Sequence, residues 1–458
     1  MAKIALIGAG GVVFPMRLMG DLLSFPALQN ATFSLMDVDL DRAQRTALSA
    51  RELSGHHGLT ATIEATDDRR HALDGTDYVI VTFQVGGLDA YSRDIEIPRR
   101  YGVDQAVGDT LGPGGVFRFL RSASAYAGIA RDMRELCPSA LLINYANPMA
   151  MSCWYLSELG IKSIGLCHSV QGTSRMLARQ LEVPYEDVTF ICAGIIHQAW
   201  FLEFRTHDED LYPCLRDTMI RRHQAGADVT GLPGDAGDHS SAERGDSTYE
   251  GGQERVRTAI MDAFGYFHTE SSHHASEYVP YFRKNADLVK TFIPERWDYL
   301  EICRAHNPSK SNQELVESLK AELMPSVEYG AVIVNAMETG RPAVIYGNVP
   351  NTGLIDNLPD RCCVEVACLV DSKGVQPTRV GSLPTQCAAL NRTNINVQEL
   401  AVQAALTNAR EHVYHAIMLD PLTSAVLTLD EIRAMTDELF TAHAPFLEGF
   451  SSSVLREA

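Results

Sequence analysis

The sequence predicts an α/β protein in which a doubly wound parallel sheet leads into an α+β domain. Short β-branched runs alternate with longer amphipathic stretches over the first part of the chain, as in sheets covered by helices on both faces. A glycine-rich turn follows the first of these runs. The chain has 458 residues, enough for two joined domains. We expect a Rossmann-like domain over residues 1–197 and an α+β domain for substrate binding and oligomerisation over residues 198–458.

The elements follow in order from their residue patterns. The predicted strands share short β-branched and apolar runs: Lys3–Ile7, Ala31–Met36, Tyr78–Phe83, Leu141–Tyr145, Ser163–Leu166 and Val188–Cys192. The predicted helices share apolar residues at helical spacing: Val12–Leu23, Leu40–Ser54, Arg118–Glu135 and Gly172–Leu181. Beyond residue 198 the alternation loosens, and short strands at 344–349 and 364–370 stand among helices. This mixture predicts the α+β class for the second domain.

Composition excludes several classes of function. The chain carries 39 Lys and Arg against 58 Asp and Glu, a formal net charge of −19. Because nucleic-acid binding requires clustered positive charge, we expect no nucleic-acid partner. No apolar run approaches the roughly 20 residues that span a bilayer, so we expect no membrane partner. The N-terminus lacks a signal-peptide pattern, which predicts a cytoplasmic location, where most cysteines are reduced.

The glycine-rich turn predicts a dinucleotide site in a domain similar to those of lactate and malate dehydrogenases. Gly8 permits a tight turn, and Gly10 and Gly11 let the backbone approach a pyrophosphate at the helix N-terminus. Val13 replaces the third glycine of the GxGxxG pattern. Asp37 ends the second strand, where a carboxylate accepts hydrogen bonds from the ribose hydroxyls and repels the extra phosphate of NADP. The order of these features predicts NAD rather than an unrelated glycine turn.

Three polar segments follow predicted strands, at residues 144–150, 165–172 and 192–198. We expect all three at the carboxyl ends of parallel strands, where ligands bind in open α/β sheets. Cys167 and His197 offer a thiolate and an imidazole to one divalent metal and leave positions open for substrate oxygens. A lone cysteine or histidine is more often a core residue, so the pair needs further support.

Residues 265–278 concentrate titratable side chains among aromatic ones. General acid–base chemistry needs such groups within hydrogen-bond reach of one another and of a substrate. The segment therefore predicts one wall of a cleft, the alternative being an irregular surface loop.

Several long strings indicate a family. They are residues 7–10, 35–37, 109–115, 147–150, 165–172, 192–194 with 197, 269–272, 345–349, 354–359 and 393–398. With them the chain resembles family 4 of the glycoside hydrolases over nearly its whole length, most closely the α-galactosidase (melibiase) branch. The resemblance implies an NAD-dependent enzyme, an exception among glycosidases that use two carboxylates.

The resemblance also implies a mechanism for hydrolysing α-galactosides. NAD takes a hydride from carbon 3 of the sugar, and a divalent metal, Mn²⁺ or another, polarises the new ketone. A base removes the proton at carbon 2, and the glycosidic oxygen is eliminated from carbon 1. Water then adds, and the hydride returns from NADH, so the cofactor ends unchanged.

Roles carry over to matching positions. Cys167 and His197 match the metal ligands, and Asn147 matches the residue that binds sugar hydroxyls. His168 stands where other branches place an acidic proton donor to the leaving group, and it also borders the substrate. A histidine near its ordinary pKa also donates a proton at neutral pH. The candidates for the base at carbon 2 lie in one segment and stay open: Tyr266, Glu270 and Tyr278.

One departure concerns the choice of sugar. Relatives usually carry Asn directly before the metal histidine, whereas this chain has Ile196. The absence of a Lys/Arg cluster beside the sugar-binding segments disfavours 6-phosphoglycosides. An α-glucosidase remains an alternative, as does an α-glucuronidase or α-galacturonidase, because Arg93, Arg99 or Arg118 could face a sugar carboxylate.

Two other classes of protein compete with a glycosidase. An NAD-dependent hydroxy-acid dehydrogenase shares the N-terminal fold but needs no metal-binding cysteine. A non-catalytic NAD sensor has no need of the titratable residues that this chain keeps. The expected partner is a small-molecule glycoside, and the resemblance implies a homodimer or homotetramer.

Overall fold

A computed structural model describes residues 1–11, 13–207, 209–224, 254–306 and 308–450. The strands of the sheet are β1 (Lys3–Ile7), β2 (Thr32–Met36), β3 (Thr62–Thr66), β4 (Tyr78–Val81), β5 (Leu141–Asn144), β6 (Ser163–Gly165), β7 (Val188–Ile195), β8 (Gln198–Thr206), β9 (Glu209–Asp210), β10 (Ala343–Pro350), β11 (Cys363–Asp371) and β12 (Gly374–Pro377).

The helices alternate with the strands in the first part of the chain and dominate the last part. They are α1 (Phe14–Ser24), α2 (Leu40–His56), α3 (Arg69–Leu73), α4 (Gly87–Tyr101), α5 (Gly112–Leu136), α6 (Met149–Glu158), α7 (Ser169–Gln180), α8 (Tyr212–Gln224), α9 (Arg255–Phe264), α10 (Ser272–Ala275), α11 (Ala286–Phe292), α12 (Tyr299–Ala305), α13 (Pro308–Ala321), α14 (Tyr329–Thr339), α15 (Thr385–Thr407), α16 (Arg410–Leu419), α17 (Pro421–Val426) and α18 (Leu429–Ala442). None of these described helices is both long and apolar enough to cross a membrane.

The first six strands confirm the predicted doubly wound sheet. They are parallel and stand in the order β3-β2-β1-β4-β5-β6. The sheet continues through β10, β11, β7, β8 and β9, whose pairings are antiparallel, and β12 pairs with β11. Central strands such as β4 are buried throughout, because helices cover both faces of a parallel sheet.

The prediction that all three polar segments follow parallel strands is wrong for the third. Strand β7 runs antiparallel to both β11 and β8, and a two-residue turn at Ile196 and His197 joins β7 to β8. His197 adopts a left-handed backbone with φ of +56°. This histidine therefore lies at the tip of a hairpin rather than at the end of a crossover strand.

The predicted division between residues 197 and 198 lies in this hairpin, and the sheet continues across it. The division into two domains stays a prediction. Strands β10 and β11, which the sequence places in the second domain, stand in the sheet between β6 and β7 of the first, with β10 paired to β6. Their pairings Gly165 with Asn348 and Glu365 with Gly194 connect the strands that precede Cys167 and His197.

Candidate active site

The turn between β1 and α1 leaves no room for side chains at two of its glycines. Gly8 has φ of +96°, and a Cβ there would lie 2.6 Å from the backbone nitrogen of Phe83, just beyond β4. A Cβ on Gly10 would lie 2.6 Å from Oδ2 of Asp37. The Gly10 amide instead donates a hydrogen bond of 2.8 Å to that oxygen. Gly11 closes the turn by donating its amide hydrogen to the Gly8 carbonyl at 3.2 Å.

These four predicted cofactor residues lie together beside the N-terminus of α1. The Asp37 carboxylate also accepts from the Asp39 amide at 3.0 Å. Each carboxylate oxygen has more than one lone pair and can accept from a ribose hydroxyl as well. A bare backbone at a helix N-terminus gives a pyrophosphate close approach to amide hydrogens. The residues therefore fit NAD.

A second cluster brings together Cys167, His197 and Glu270. One donor atom of each lies within 4.8 Å of the others. Cys167 Sγ is 3.4 Å from His197 Nε2, which is 3.6 Å from Glu270 Oε2. Sulfur, imidazole nitrogen and carboxylate oxygen form a donor set suited to a divalent transition metal. The two metal ligands expected from the sequence are thus side by side, with a carboxylate that the sequence offered as a base.

Burial sets the protonation of this cluster. It raises the pKa of the Cys167 thiol well above its usual value and lowers the pKa of His197 to about 3, which leaves the imidazole neutral. Burial alone would raise the pKa of Glu270, but the nearby histidines outweigh it, and the pKa lies below its usual value. A neutral imidazole and a carboxylate are ready to bind a cation, and a coordinating thiol loses its proton.

The backbone is strained at two members of the cluster. His197 has φ of +56° and Glu270 has φ of +74°. Left-handed backbone costs a non-glycine residue on the order of 1–3 kcal/mol and concentrates at functional sites. The fold thus bears a cost to bring these two side chains to the same point.

A cavity of about 290 Å³ opens beside the cluster. Its walls are mostly aromatic and apolar, with polar groups grouped near Cys167 and His197. The lining residues are Phe14, Val107, Asp109, Tyr145, Asn147, Met149, Leu166, Cys167, His168, Ile196, His197, Glu270, His274, Trp297 and Tyr299. Such a chamber suits a small ligand with an apolar face and a few hydroxyls.

Asn147 and Asp109 form a polar pair in this wall. Asn147 Nδ2 donates to Asp109 Oδ2 at 3.1 Å. The other oxygen, Oδ1 of Asp109, is buried and has no hydrogen-bond partner. A buried carboxylate oxygen without a donor is costly, and a ligand hydroxyl would satisfy it. The pair therefore fits the binding of sugar hydroxyls.

His168 lies directly before α7 and lines the cavity. Its Nδ1 is 3.5 Å from Oε1 of Glu328, which is buried. Glu328 was not singled out by the sequence, because 328 − 168 = 160 residues separate the two positions. The contact orients the His168 ring beside the cavity.

The three candidate bases occupy different places. Glu270 lines the cavity, whereas Tyr266 and Tyr278 are not among the lining residues in the described part of the chain. Tyr278 lies behind His197, with its hydroxyl 3.3 Å from Nδ1. The Tyr266 ring packs edge-on against Tyr212, with centroids 5.9 Å apart.

The sequence identified fewer than half of the lining residues. It missed Asp109 as a site residue although the surrounding string was noted, and it gave no sign of Trp297 and Tyr299. Those two residues come from a stretch of 297–299 that carries no glycine motif or ligand spacing. Only their place in the fold brings them to the cavity.

Comparison with known sequences gives a consistent result. Residues 3–183 match the profile of "Family 4 glycosyl hydrolase", and residues 192–423 match that of the "Family 4 glycosyl hydrolase C-terminal domain". An α-galactosidase of Bacillus subtilis (strain 168) is 40% identical over 98% of this chain and 99% of its own. An α-galactosidase of Rhizobium meliloti (strain 1021) is 33% identical, covering 99% and 90%. An α-galacturonidase of Bacillus subtilis is 30% identical, covering 92% and 93%.

Solved structures agree on the fold. A glucosidase candidate from Bacillus subtilis superposes with a TM-score of 0.84 at 28% identity, covering 96% of this chain and 99% of its own. A 6-phospho-α-glucosidase from gut microorganisms, solved in complex with NAD and Mn²⁺, gives a TM-score of 0.74 at 19% identity, covering 97% and 99%.

Proposed function

The chain belongs to family 4 of the glycosyl hydrolases, and from this we propose that it is an α-galactosidase dependent on NAD and a divalent metal. The two α-galactosidase relatives, at 40% and 33% identity, support this choice of branch. Manganese is the metal we propose first, because a structural relative was solved with NAD and Mn²⁺.

The observation that carries the choice of sugar is the charge of the cavity. Its described lining includes the carboxylates of Asp109 and Glu270 but no lysine or arginine. A uronide or a phosphorylated sugar would bring a further negative charge next to these groups, and no guanidinium or ammonium in the described lining would pair with it. Arg118, which the sequence offers for a sugar carboxylate, is not among these lining residues, and its guanidinium donates to the Asn147 carbonyl at 3.3 Å. A neutral hexose meets no such repulsion. The lining therefore favours a galactoside over the galacturonides that one relative hydrolyses.

The cofactors would supply the redox and Lewis-acid chemistry, and the side chains would bind the sugar and the metal. Bound NAD supplies a hydride acceptor for carbon 3 and the divalent metal supplies a Lewis acid for the oxygen on that carbon. Asn147 and Asp109 hold sugar hydroxyls beside Cys167 and His197, which would hold the metal. The aromatic side chains of the lining offer apolar faces to the sugar ring.

Two side chains of the cavity are proposed to move protons. We assign the base at carbon 2 to Glu270, because it is ionised and lines the cavity. The other two candidates, Tyr266 and Tyr278, are not among the described lining residues. We assign protonation of the leaving oxygen to His168, oriented by its contact with Glu328. General acid–base steps of this kind contribute about 10²–10⁴-fold to rate.

The test is hydrolysis of p-nitrophenyl α-galactoside by the purified protein, with NAD, Mn²⁺ and a thiol reductant each added or left out. We expect activity that requires both NAD and Mn²⁺ and that exceeds activity on the matching glucoside and galacturonide. Greater activity on a glucoside or a galacturonide would overturn the choice of sugar and keep the mechanism. Net NADH formation from a hydroxy acid, without hydrolysis of any glycoside, would make the protein a dehydrogenase.

We also propose a cytoplasmic location and assembly as a homodimer or homotetramer. All ten cysteines are unpaired in the structure, in keeping with a reducing compartment. Light scattering on the eluting protein tests the assembly, and a mass of one chain would contradict it.

A further inference from the structure

A chain of polar contacts runs from His197 through His274, which also lines the cavity, to Glu277. Nε2 of His274 lies 3.0 Å from Nδ1 of His197, the ring nitrogen that faces away from Cys167 and Glu270. Nδ1 of His274 lies 3.3 Å from Oε2 of Glu277. His197, His274 and Glu277 are all buried.

Four hydrogen bonds fix the Glu277 carboxylate in addition to its contact with His274. Its Oε1 accepts from the amides of Ala106 and Val107 at 2.6 and 2.8 Å. Its Oε2 accepts from the Gly108 amide at 3.0 Å and from Gln105 Nε2 at 3.2 Å. Burial alone would raise the pKa of Glu277, but these contacts and His274 lower it to about 2, so the group is a carboxylate.

The carboxylate decides which way the protons of the two rings are arranged. A carboxylate only accepts, so the Glu277 charge, 3.3 Å from His274 Nδ1, favours a proton on that nitrogen. In its neutral form His274 then has a lone pair on Nε2, which lies 3.0 Å from Nδ1 of His197 and can accept its proton. In this arrangement the Nε2 lone pair of His197 points at Cys167 Sγ and Glu270, where a metal would bind. Metal-bound histidines commonly donate their second ring proton in this manner.

We infer that His274 and Glu277 are positioning residues that fix the tautomer and the ring orientation of His197 for metal binding. The inference rests on the metal dependence of the proposed function. Thr110 completes the arrangement, since its hydroxyl lies 2.9 Å from both His274 Nε2 and the Tyr278 hydroxyl.

The test compares three variants of the full-length protein. His274→Gln keeps an amide oxygen near the former Nε2, whereas His274→Asn places its amide near the former Nδ1. The Asn variant leaves Nδ1 of His197 only the Tyr278 hydroxyl, at 3.3 Å, as an acceptor. His443→Gln is the matched control, because His443 is also buried and its Nε2 lies 3.0 Å from Oδ1 of Asp94. Mn²⁺ affinity is measured by electron paramagnetic resonance without substrate. NAD affinity and melting temperature are measured on the same samples.

We expect Asn to lower Mn²⁺ affinity about 10–100-fold, the usual effect of losing such a partner. Gln should cost less than Asn, and His443→Gln should leave Mn²⁺ affinity unchanged. NAD affinity should stay at the wild-type value in all three. If the Asn variant does not fold, the Gln variant decides, because some loss of Mn²⁺ affinity is still expected of it.

Wild-type Mn²⁺ affinity in a folded His274 variant would overturn the inference and leave the proposed function standing. A wild-type protein that binds no Mn²⁺ would overturn the proposed metal dependence itself. Substituting Co²⁺ adds a spectroscopic check. The thiolate–cobalt absorption should shift in the His274→Asn variant and not in the control.

Discussion

Replacing Gly8 by alanine should weaken NAD binding at a site that bears no functional group. The backbone there has φ of +96°, and the added Cβ would lie 2.6 Å from the Phe83 nitrogen and 2.8 Å from its Cα. Left-handed backbone costs a residue with a Cβ about 1–2 kcal/mol. The close contacts add to this, because backbone atoms cannot swing aside as a flexible side chain can.

The cost can appear in two measurements. If the turn relaxes away from Phe83 in the free protein, NAD binding must pull it back, and the affinity falls. A cost of about 1–2 kcal/mol corresponds to roughly 5–30-fold in the dissociation constant. If the turn cannot relax, the melting temperature falls instead. We expect the NAD dissociation constant to rise about 5–30-fold by isothermal titration if the turn relaxes, and the melting temperature to fall if it does not.

Gly58→Ala is the matched control. Gly58 has φ of +66° and nothing within 4 Å of an added Cβ, and it lies in the turn after α2. This variant should lose stability through the same backbone strain and bind NAD as the wild type does. A Gly8→Ala variant with unchanged affinity and unchanged melting temperature would refute the assignment of this turn.

Four further outcomes are expected. Cys167→Ser should lower Mn²⁺-dependent hydrolysis by more than about 100-fold while NAD binding survives; loss of both would make Cys167 a structural residue. Glu270→Gln should lower kcat by about 10²–10⁴-fold at saturating Mn²⁺, whereas activity that saturating Mn²⁺ restores would make Glu270 a metal ligand and not the base. Asn147→Ala should raise KM for the galactoside about tenfold through one lost hydrogen bond, and an unchanged KM would place the sugar elsewhere. Burial raises the pKa of Glu365 from 4.5 to about 8, so the folded protein loses stability as pH rises between these values. Glu365→Gln should therefore melt higher relative to wild type at pH 8 than at pH 5, and a pH-independent difference would contradict the shift.

Local patterns in the sequence predicted those parts of the site that depend on neighbouring residues. The strand, the glycine turn and Asp37 form one compact unit, and the structure places them together. Cys167 and His197, which the sequence analysis offered as a metal pair, lie 3.4 Å apart. The spacing of the two residues alone contains no information about that distance.

The errors have physical causes that one sequence does not reveal. Strand β3 was missed because it lies at the sheet edge and buries only Ile63, so no apolar run marks it. The antiparallel course of β7 was missed because its hairpin turn, Ile196 and His197, contains none of the usual turn residues. Tyr266 and Glu270 lie four residues apart in irregular backbone, where no periodicity tells which side chain faces the cavity.

The position of β10 and β11 has a consequence for how the protein is made. These strands, from residues 343–371, stand in the sheet between β6, which precedes Cys167, and β7, which precedes His197. During synthesis both ligand residues leave the ribosome long before the strands that set their separation. The glycine turn and Asp37 contact residues at the ends of β2, β3 and β4, which are synthesised early. A nascent chain can therefore form the predicted dinucleotide site first. The native positions of Cys167 and His197 in the sheet require β10 and β11, and until those strands are made the edge of β6 lacks its neighbour.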